Sequence, residues 1–438
     1  MTDKSPRINR DRLERSLREL AVFGQNARGG LDRTAFTPAE LEARAWLKAA
    51  LEKEGLRVRI DPAANIWGSR AAALPELPAI VCGSHIDTVP DGGKYDGALG
   101  VLMALEVLRT LNDSGIATRH PFELVSFSAE EPNPFGLSTF GSRAATGKLT
   151  REQIIGVRNS EGTLLADALK EAGGSPERFE EAALPEGAVS AFVEVHIEQG
   201  RRLLRRSLPI GVVTAITGIY REEVTVRGEA NHAGTTLMED RSDALTAAAE
   251  IVLAAEQICR SFPAAGVVGT VGQLNIKPNA PNIIPAEAVF LVEFRAESRE
   301  QLRQVLTEWG LRLELLSSRR RSLVTRRLIL DQAPSPMDRT VMEALERQAE
   351  QLRIPSCRLG SMAGHDAAHL ASITRSGMIF VPSLGGKSHC PEEESRMADI
   401  EQAANVLLHT LLDLDAALDA GGGALEGSCS RRIRSMRT

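Results

Sequence analysis

Cysteine is scarce in this chain, and long apolar runs are absent from it. The 438 residues include five cysteines, widely spaced and never in a CxxC pair, so we expect neither a disulfide framework nor a cysteine zinc site. No apolar stretch reaches the roughly 18 residues that a membrane span needs. The charged start MTDKSPRINRDRLERSL lacks the apolar segment of a secretory signal. These absences predict a cytoplasmic protein that does not interact with membranes.

Positive charge is also in deficit. The formal net charge is -6, whereas proteins that bind nucleic acid carry basic surfaces that neutralise phosphates. We therefore expect no nucleic-acid partner, and binding of a small molecule stays open. The hydrophobic fraction of 43% is that of a globular protein, and the length suits two domains.

The order of apolar runs predicts an α/β domain interrupted by a smaller one. Runs 78–82 and 122–128 indicate buried strands, and the apolar helix expected at 97–111 lies between them. This order is typical of a mostly parallel sheet flanked by helices. After residue 210 the pattern becomes β-branched and follows a β-α-β-β-α order, which indicates an α+β (ferredoxin-like) insert. The predicted segments are 1–210 and 330–415 for the main domain, 211–329 for the insert, and 416–438 for a flexible tail.

Polar side chains follow several of the predicted strands. In GSHIDTVPDGGKYDGALGV (83–101) they come directly after an apolar run, and the same happens in SAEEPN, FVEVHIEQG and GGKSHCPEE. Imidazoles and carboxylates at one sheet edge are the ligands that a two-metal hydrolase requires. The candidates are His85, Asp87, Asp96, Glu130, Glu131, His196 and His389.

Each of these residues also has a structural interpretation. A single histidine after a strand is more often a hydrogen-bonded structural residue than a ligand, and two adjacent glutamates are commonly a solvated helix start. Because adjacent residues on an extended chain point in opposite directions, one of Glu130 and Glu131 could bind metal while the other acts as a base. The recurrence of such residues at successive strand ends favours a metal site.

Eight ordered segments between about residue 10 and residue 415 carry a family resemblance: GSHIDTVPDGGKYDGALGV, SAEEPNPFGLSTFGSRAATGKL, VEVHIEQG, IGVVTAITG, NHAGTTLMEDRSDAL, GTVGQLNIKPNAPNIIP, MAGHDAAHLA and MIFVPSLGGKSHCPEE. Together they resemble the M20-type metal-dependent amidohydrolases, in their hydantoinase/carbamoylase branch. That branch contains N-carbamoyl-L-amino-acid hydrolases, β-ureidopropionases and allantoate amidohydrolases. The segment HIEQG distinguishes it from the related peptidases and so disfavours a zinc aminopeptidase.

The resemblance implies a role for each candidate. Two divalent ions would be held, zinc in the first place and manganese, cobalt or nickel as alternatives. Glu130 would be the general base, and Asp87 would orient His85. Asp96 would bridge the ions, and the implied ligands are His85, Asp96, Glu131, His196 and His389.

The resemblance also implies that the insert is a lid and dimerisation domain. Members of the branch are homodimers, in which the equivalents of His232 and Asn282 reach the partner's active site. His232 would stabilise the oxyanion, and Arg295 would bind the substrate carboxylate. The implied substrate-binding residues are Gln199, His232, Asn282, Arg295, Gly364 and His365. From the residues alone, His232 and Asn282 could equally be turn residues and Arg295 a surface residue.

The implied function is hydrolysis of the ureido C–N bond of an N-carbamoyl-L-amino acid, a small substrate that carries a carboxylate. Allantoate amidohydrolase or β-ureidopropionase activity is the alternative with the same site, and an inactive ligand-binding relative is a more distant one. Three residues depart from the family pattern: Pro134 stands where many members carry Arg, Met362 where Gly is usual, and Glu293 where Asp is common. The first two bear on which substrate is used, and none is a proposed ligand.

Overall fold

The computed structural model describes residues 5–262 and 266–418, which form two β-sheets with helices packed against them. Most of the predicted tail, from residue 419 onward, lies outside the described residues. The helices are α1 (Arg10–Leu20), α2 (Pro38–Lys53), α3 (Ala98–Asp113), α4 (Phe140–Ala145), α5 (Arg151–Ile154), α6 (Leu165–Glu171), α7 (Arg202–Arg206), α8 (Ala244–Arg260), α9 (Arg299–Arg320), α10 (Arg339–Gln351), α11 (Ala367–Leu370) and α12 (Met397–Ala417).

The larger sheet has nine strands in the order β1-β2-β4-β3-β5-β13-β6-β11, with β12 paired to β6. Its four central strands, β4, β3, β5 and β13, run parallel, so their carboxyl ends meet at one edge. The strands are β1 (Arg57–Ile60), β2 (Ile66–Arg70), β3 (Ala79–His85), β4 (Phe122–Phe127), β5 (Val189–Ile197), β6 (Ile210–Ile216), β11 (Ser335–Pro336), β12 (Ser356–Ser361) and β13 (Arg375–Val381).

Helix α3 lies at the centre of the main core. It packs on β3 and β5 and is covered by α1 and α12, and the whole stretch from Ala98 to Leu111 is buried. A helix that is surrounded on all sides needs mostly apolar residues on all its faces, which explains why the run GALGVLMALEVLRTL contains only two charged residues, Glu106 and Arg109. This helix begins directly after Asp96 and Gly97, so its packing anchors the loop that carries Asp96.

The smaller sheet is antiparallel, in the order β10-β7-β9-β8. Strand β9 alternates buried and half-buried residues along its whole length, as expected when one face of a sheet is covered. Helices α8 and α9 pack on that face. The strands are β7 (Gly218–Arg227), β8 (Val267–Lys277), β9 (Glu287–Ala296) and β10 (Leu323–Gln332).

The fold class predicted from the sequence, a mixed sheet with flanking helices plus a smaller α+β unit, is confirmed. The edges of the insert differ from the predicted 211–329. Residues 210–216 form β6, which pairs with β12 and β13 in the larger sheet, and β10 continues to Gln332 in the smaller one. None of the helices in the described part of the chain is long and apolar enough to cross a membrane.

Candidate metal centre

The carboxyl edge of the four parallel strands carries most of the candidate ligands. His85 is the last residue of β3, His196 is the penultimate residue of β5, and Glu130 and Glu131 follow β4. His389 lies in the loop after β13, and Asp96 lies in the loop before α3. The candidate ligands other than His389 are buried, while the side chain of His389 is 45% exposed. The fold therefore brings together residues that are separated by up to 300 positions in the chain.

Asp96 lies at the centre of this cluster, with its two carboxylate oxygens facing different partners. Oδ1 lies 3.2 Å from Nε2 of His196 and 3.6 Å from Nε2 of His85. Oδ2 lies 3.4 Å from Nε2 of His389, whose Nε2 is also 3.1 Å from Oε1 of Glu131. Three groups of donor atoms are each compact enough to surround one ion: His85–Asp96–His196, Asp96–Glu131–His389 and His85–Glu130–Glu131. Asp96 belongs to the first two.

These distances fit a metal centre. Ligand atoms about 2.0–2.1 Å from a tetrahedral zinc ion lie about 3.3 Å apart, close to the 3.1–3.6 Å seen here. The electrostatics agree with the geometry. Burial acts to lower the pKa of His196, but the carboxylate of Asp96 outweighs it and raises the pKa to about 9. Hydrogen bonds to Asp96 and Glu131 raise the pKa of His389 to about 10. The raised pKa values reflect the negative potential of the carboxylates in the cluster. The same potential would attract a divalent ion, and binding of the ion would displace the imidazole protons.

The backbone at Gly97 allows Asp96 and His85 to approach each other. Gly97 has φ of 63°, and a Cβ atom at this position would lie 2.3 Å from Cε1 and Nε2 of His85. No other residue type fits there without moving the imidazole. Its backbone nitrogen lies 3.1 Å from Nε2 of His196. Gly97 therefore contacts two of the histidines in the cluster.

Asp87, expected to orient His85, contacts that imidazole mainly through its backbone. Nδ1 of His85 lies 3.0 Å from the carbonyl oxygen of Asp87 and 3.6 Å from its carboxylate. The carboxylate instead accepts the backbone N–H groups of Glu130 and Glu131 at 3.2 and 3.0 Å. These hydrogen bonds of Asp87 connect the backbone of Glu130 and Glu131 to the loop after β3.

Glu130 is the most strongly perturbed carboxyl group among the candidates for a base. Burial, followed by the negative charges of Asp366 and Glu131, raises its pKa well above the ordinary value. Oε2 of Glu130 lies 3.7 Å from Nε2 of His85, beside the metal cluster. A carboxylate in such surroundings is a stronger base than one in water.

Gln199 and Ser388 both contact Asp96. Nε2 of Gln199 donates to Oδ2 of Asp96 at 2.6 Å, and the Ser388 hydroxyl donates to the same oxygen at 2.7 Å. Gln199 was expected to line the substrate pocket, whereas Ser388 was not predicted from the sequence. Ser388 is adjacent to His389, but nothing in the local pattern distinguishes it from a loop serine.

A buried layer supports His196 from behind. The imidazole of His365 packs edge-on against that of His196, with ring centres 4.4 Å apart, and its Nε2 lies 2.8 Å from the Ser361 hydroxyl. Glu194 accepts hydrogen bonds from the Ser84 hydroxyl and the backbone N–H of Ala367. Sequence reasoning missed Glu194, although a charged residue inside the apolar run FVEVHI is a visible signal. Gly364 is exposed, whereas His365 is 2% exposed.

His232 and Asn282 lie together on the smaller domain. Residues 232 and 283 form an isolated β-bridge, and the N–H of Ala233 donates to the carbonyl of Asn282 at 3.0 Å. Both side chains are exposed. Among the described residues, neither makes a hydrogen bond with the metal cluster of the same chain.

Arg295 lies where the domain of the smaller sheet contacts the domain of the larger sheet. Its Nε donates to Oε1 of Glu293 at 2.7 Å, and its Nη1 donates to the carbonyl oxygen of Met362 at 2.7 Å. Glu293 also accepts from Arg221. The guanidinium is therefore held in a fixed plane by one residue of its own strand and one of the main domain.

Comparisons with known proteins agree with this architecture. Residues 81–413 match the model of peptidase family M20/M25/M40. The chain is 39% identical over 407 residues to an N-carbamoyl-L-amino acid amidohydrolase of Geobacillus stearothermophilus. The alignment covers 93% of this chain and 99% of that protein. It is 33% identical to an allantoate amidohydrolase of Bacillus subtilis, with 90% of this chain and 95% of that protein aligned.

A solved structure is also similar over nearly the whole chain. It is a hydantoinase/carbamoylase family amidase from Burkholderia ambifaria, with a TM-score of 0.87 and 33% identity over 94% of this chain and 98% of the other. The resemblance inferred from the sequence motifs is confirmed. The chain belongs to peptidase family M20/M25/M40, and within that family it is similar to the hydantoinase/carbamoylase amidases.

Proposed function

We propose that this protein hydrolyses N-carbamoyl-L-amino acids, converting the substrate and one water into the amino acid, carbon dioxide and ammonia. The observation that carries the proposal is the position of Asp96, whose two oxygens face two separate groups of ligand atoms. The N-carbamoyl-L-amino acid amidohydrolase that is 39% identical over 93% of the chain supports the choice of substrate. A cytoplasmic location stays a prediction.

The donor set suits two divalent ions. His85, Asp96 and His196 would hold one, and Asp96, Glu131 and His389 the other. Mixed imidazole and carboxylate ligands favour zinc, and they also accept manganese, cobalt or nickel. When bound, two such ions supply Lewis acidity towards the ureido carbonyl and lower the pKa of a water towards neutrality.

Glu130 would act as the base. Its carboxylate lies beside the candidate ligands, with Oε2 3.7 Å from Nε2 of His85, and it would take a proton from the attacking water. The same carboxyl group then returns that proton to the leaving nitrogen. This transfer balances the reaction, because the amine that leaves needs one proton more than it carried in the ureido bond.

His232 would donate a hydrogen bond to the substrate carbonyl oxygen. Its Nδ1 accepts the backbone N–H groups of Gly234 and Thr235 at 3.0 and 3.2 Å, which places the proton of the neutral imidazole on Nε2. The His232 side chain is exposed. Loss of one such donor typically costs about 3–4 kcal/mol of barrier.

His232 and Asn282 would serve the active site of a second copy, because they make no hydrogen bond to the described cluster of their own chain. A homodimer through the smaller domain requires an exposed apolar surface there, and leucines on α8 and α9 supply one. Leu253, Leu311 and Leu315 are 55–60% exposed. We expect Leu311→Glu to shift the mass measured by light scattering from dimer to monomer. The matched control Val22→Glu, at a 66% exposed site in the larger domain, should leave the mass unchanged. A wild-type monomer would contradict the dimer.

Adjacent glutamates provide the test of the catalytic assignment. Glu130→Gln should keep bound metal and lose kcat by about 10²–10⁴-fold. Glu131→Gln should lose metal, because it removes one of the three ligands of the second group. Metal content by elemental analysis and turnover of N-carbamoyl-methionine separate these outcomes. Full turnover by metal-loaded Glu130→Gln would remove Glu130 from the mechanism.

Arg295 provides a second test, through the substrate carboxylate. Arg295→Lys keeps the charge but loses the planar fork, and we expect KM to rise by roughly 10-fold or more, as for a hydrogen bond to a charged group. An N-carbamoyl amine without a carboxylate should be turned over equally by both proteins. Equal loss on both substrates would mean that Arg295 only holds Met362.

Allantoate amidohydrolysis is the second candidate, favoured by the 33% identical Bacillus subtilis relative. Allantoate also presents a ureido group beside a carboxylate, so the cluster, Glu130 and Arg295 would serve it unchanged. Ammonia release from allantoate at a kcat/KM above that for N-carbamoyl-methionine and N-carbamoyl-β-alanine would assign this activity instead.

A further inference from the structure

Glu393 is a buried carboxylate between two loops that carry candidate metal ligands. It is 2% exposed. Its Oε1 accepts the backbone N–H groups of Tyr95 at 2.9 Å and of Asp96 at 3.0 Å. One oxygen therefore holds two consecutive backbone N–H groups, the second of which belongs to Asp96 itself. Neither the sequence motifs nor the relatives assign this residue a role.

The other oxygen of Glu393 connects to the His389 loop. The Ser388 hydroxyl lies 3.0 Å from Oε2 of Glu393 and 2.7 Å from Oδ2 of Asp96. Glu393 is thus linked to Asp96 directly through the backbone. Ser388 lies between the two carboxylates, and its single hydroxyl proton is donated to one of them at a time. These hydrogen bonds join parts of the chain that are almost 300 residues apart, and the Ser388 hydroxyl reaches the oxygen of Asp96 that faces His389.

The side chain of Glu393 packs directly against the loop that carries Asp96, at Gly93. A Cβ atom at Gly93 would lie 2.1 Å from Cδ and Oε1 of Glu393. The glycine is needed so that the carboxylate can reach the two N–H groups beyond it. In the described part of the chain, no lysine or arginine forms an ion pair with Glu393. Since a buried carboxylate is costly without partners, its hydrogen bonds to the two loops account for its presence.

We propose that Glu393 is a positioning residue, which fixes the backbone of Asp96 relative to the His389 loop so that each oxygen of Asp96 stays directed at its own group of ligands. The inference rests on the proposed metal-dependent function. It explains how two ligands on loops, rather than on strands, are held in place. Residues that orient a ligand without touching the ion typically contribute about 10–100-fold to metal affinity.

The neighbouring carboxylate provides a matched control. Glu394 also binds the 94–95 segment, accepting from Nζ of Lys94 at 3.0 Å and from the Tyr95 hydroxyl at 2.6 Å. Its carboxylate makes no hydrogen bond to Asp96 or Ser388. Glu394→Ala therefore removes one carboxylate from the same loop without releasing Asp96.

The measurement is the dissociation constant of Zn²⁺ and of Mn²⁺ from the full-length protein, by competition with a chelator, together with urea unfolding. Glu393→Ala should bind metal at least 10-fold more weakly than wild type, whereas Glu394→Ala should bind as wild type. Glu393→Gln keeps a carbonyl oxygen for the two N–H groups and should stay within about threefold. A merely structural role would lower the unfolding free energy of the Ala variants and leave these constants equal.

Gly93→Ala tests the same inference without removing Glu393, and it decides the matter if Glu393→Ala does not fold. The added methyl group should displace the carboxylate and reproduce the loss of metal affinity. Equal metal affinities for Glu393→Ala and Glu394→Ala would overturn the inference. A Glu393→Gln variant that binds metal as weakly as Glu393→Ala would also overturn it, because the charge of the side chain and not its hydrogen bonds would then matter. A wild-type protein that binds neither metal would overturn the proposed function itself.

Discussion

The substitution Gly97→Ala isolates the geometry of the metal cluster from the chemistry of its ligands. It changes no ligand and adds a single methyl group. That group would lie 2.3 Å from two atoms of the His85 imidazole, and ordinary contact begins near 3.4 Å. The imidazole or the Asp96 loop must therefore move by about 1 Å, and a displacement of that size in a catalytic site can cost about 100-fold in rate.

The backbone at residue 97 contributes a separate cost. Gly97 has φ of 63° and ψ of −53°, outside even the left-handed helical region, so an alanine there costs more than the roughly 1–2 kcal/mol of that region. Gly115→Ala is the matched control, because Gly115 has φ of 60° and no atom within 4 Å of an added Cβ. Gly97→Ala should lose at least as much unfolding free energy from the backbone as Gly115→Ala, and only Gly97→Ala should disturb His85.

The assay is chelator competition for Zn²⁺ combined with turnover of N-carbamoyl-methionine. We expect Gly97→Ala to bind metal about 10–100-fold more weakly and to lose kcat/KM by about 100-fold, while Gly115→Ala matches wild type in both. If Gly97→Ala binds metal as tightly as Gly115→Ala, the close packing of residue 97 on His85 does not position the ligand, and the reasoning is refuted.

Three further predictions concern stability, each measured by urea unfolding. Burial lowers the pKa of His369 to about 4, below its value of 6.5 in the unfolded chain. Between pH 6.5 and pH 4 the unfolded state therefore binds more protons than the folded state. From pH 7 to pH 5 the unfolding free energy of wild type should fall by about 2 kcal/mol more than that of His369→Gln. Equal losses would contradict this. Asp243 accepts the N–H groups of Leu245 and Thr246 at the start of α8, so Asp243→Ala should cost about 1 kcal/mol and Asp243→Ser much less. Buried Trp309 donates to Glu222, and Trp309→Phe should cost about 1–3 kcal/mol; an unchanged midpoint would mean that this bond contributes nothing.

Residues that directly follow strands could be placed from the sequence. His85 and His196 close apolar runs, and Glu130 follows another, so a parallel sheet predicts that they share one edge. The structure brings His85 and Glu130 to 3.7 Å of each other. The prediction works because strand pairing sets the relative heights of strand ends within a few ångströms, and the apolar runs mark those ends in the sequence.

Pairing between strands could not be predicted in the same way. The run from 210 to 227 is rich in β-branched residues, yet it divides near Thr217 into β6 of the larger sheet and β7 of the smaller one. A β-branched sequence indicates that a segment is extended and half-buried, but the partner strand decides which sheet it joins. The predicted boundary at residue 211 therefore fell inside a strand of the main domain.

Contacts between loops are a second feature that local patterns do not contain. Ser388 and Glu393 approach Asp96 only after the chain has folded, and no periodicity relates their positions to residue 96. The strand-end ligands are fixed by the hydrogen bonds of the sheet, whereas Asp96 and His389 depend on side chains that cross between loops. Because His389 belongs only to the second group of ligand atoms and Asp96 to both, a disturbance of the loops should weaken the second ion first. The first group keeps two histidines on β3 and β5, and it would be the last part of the centre to fail.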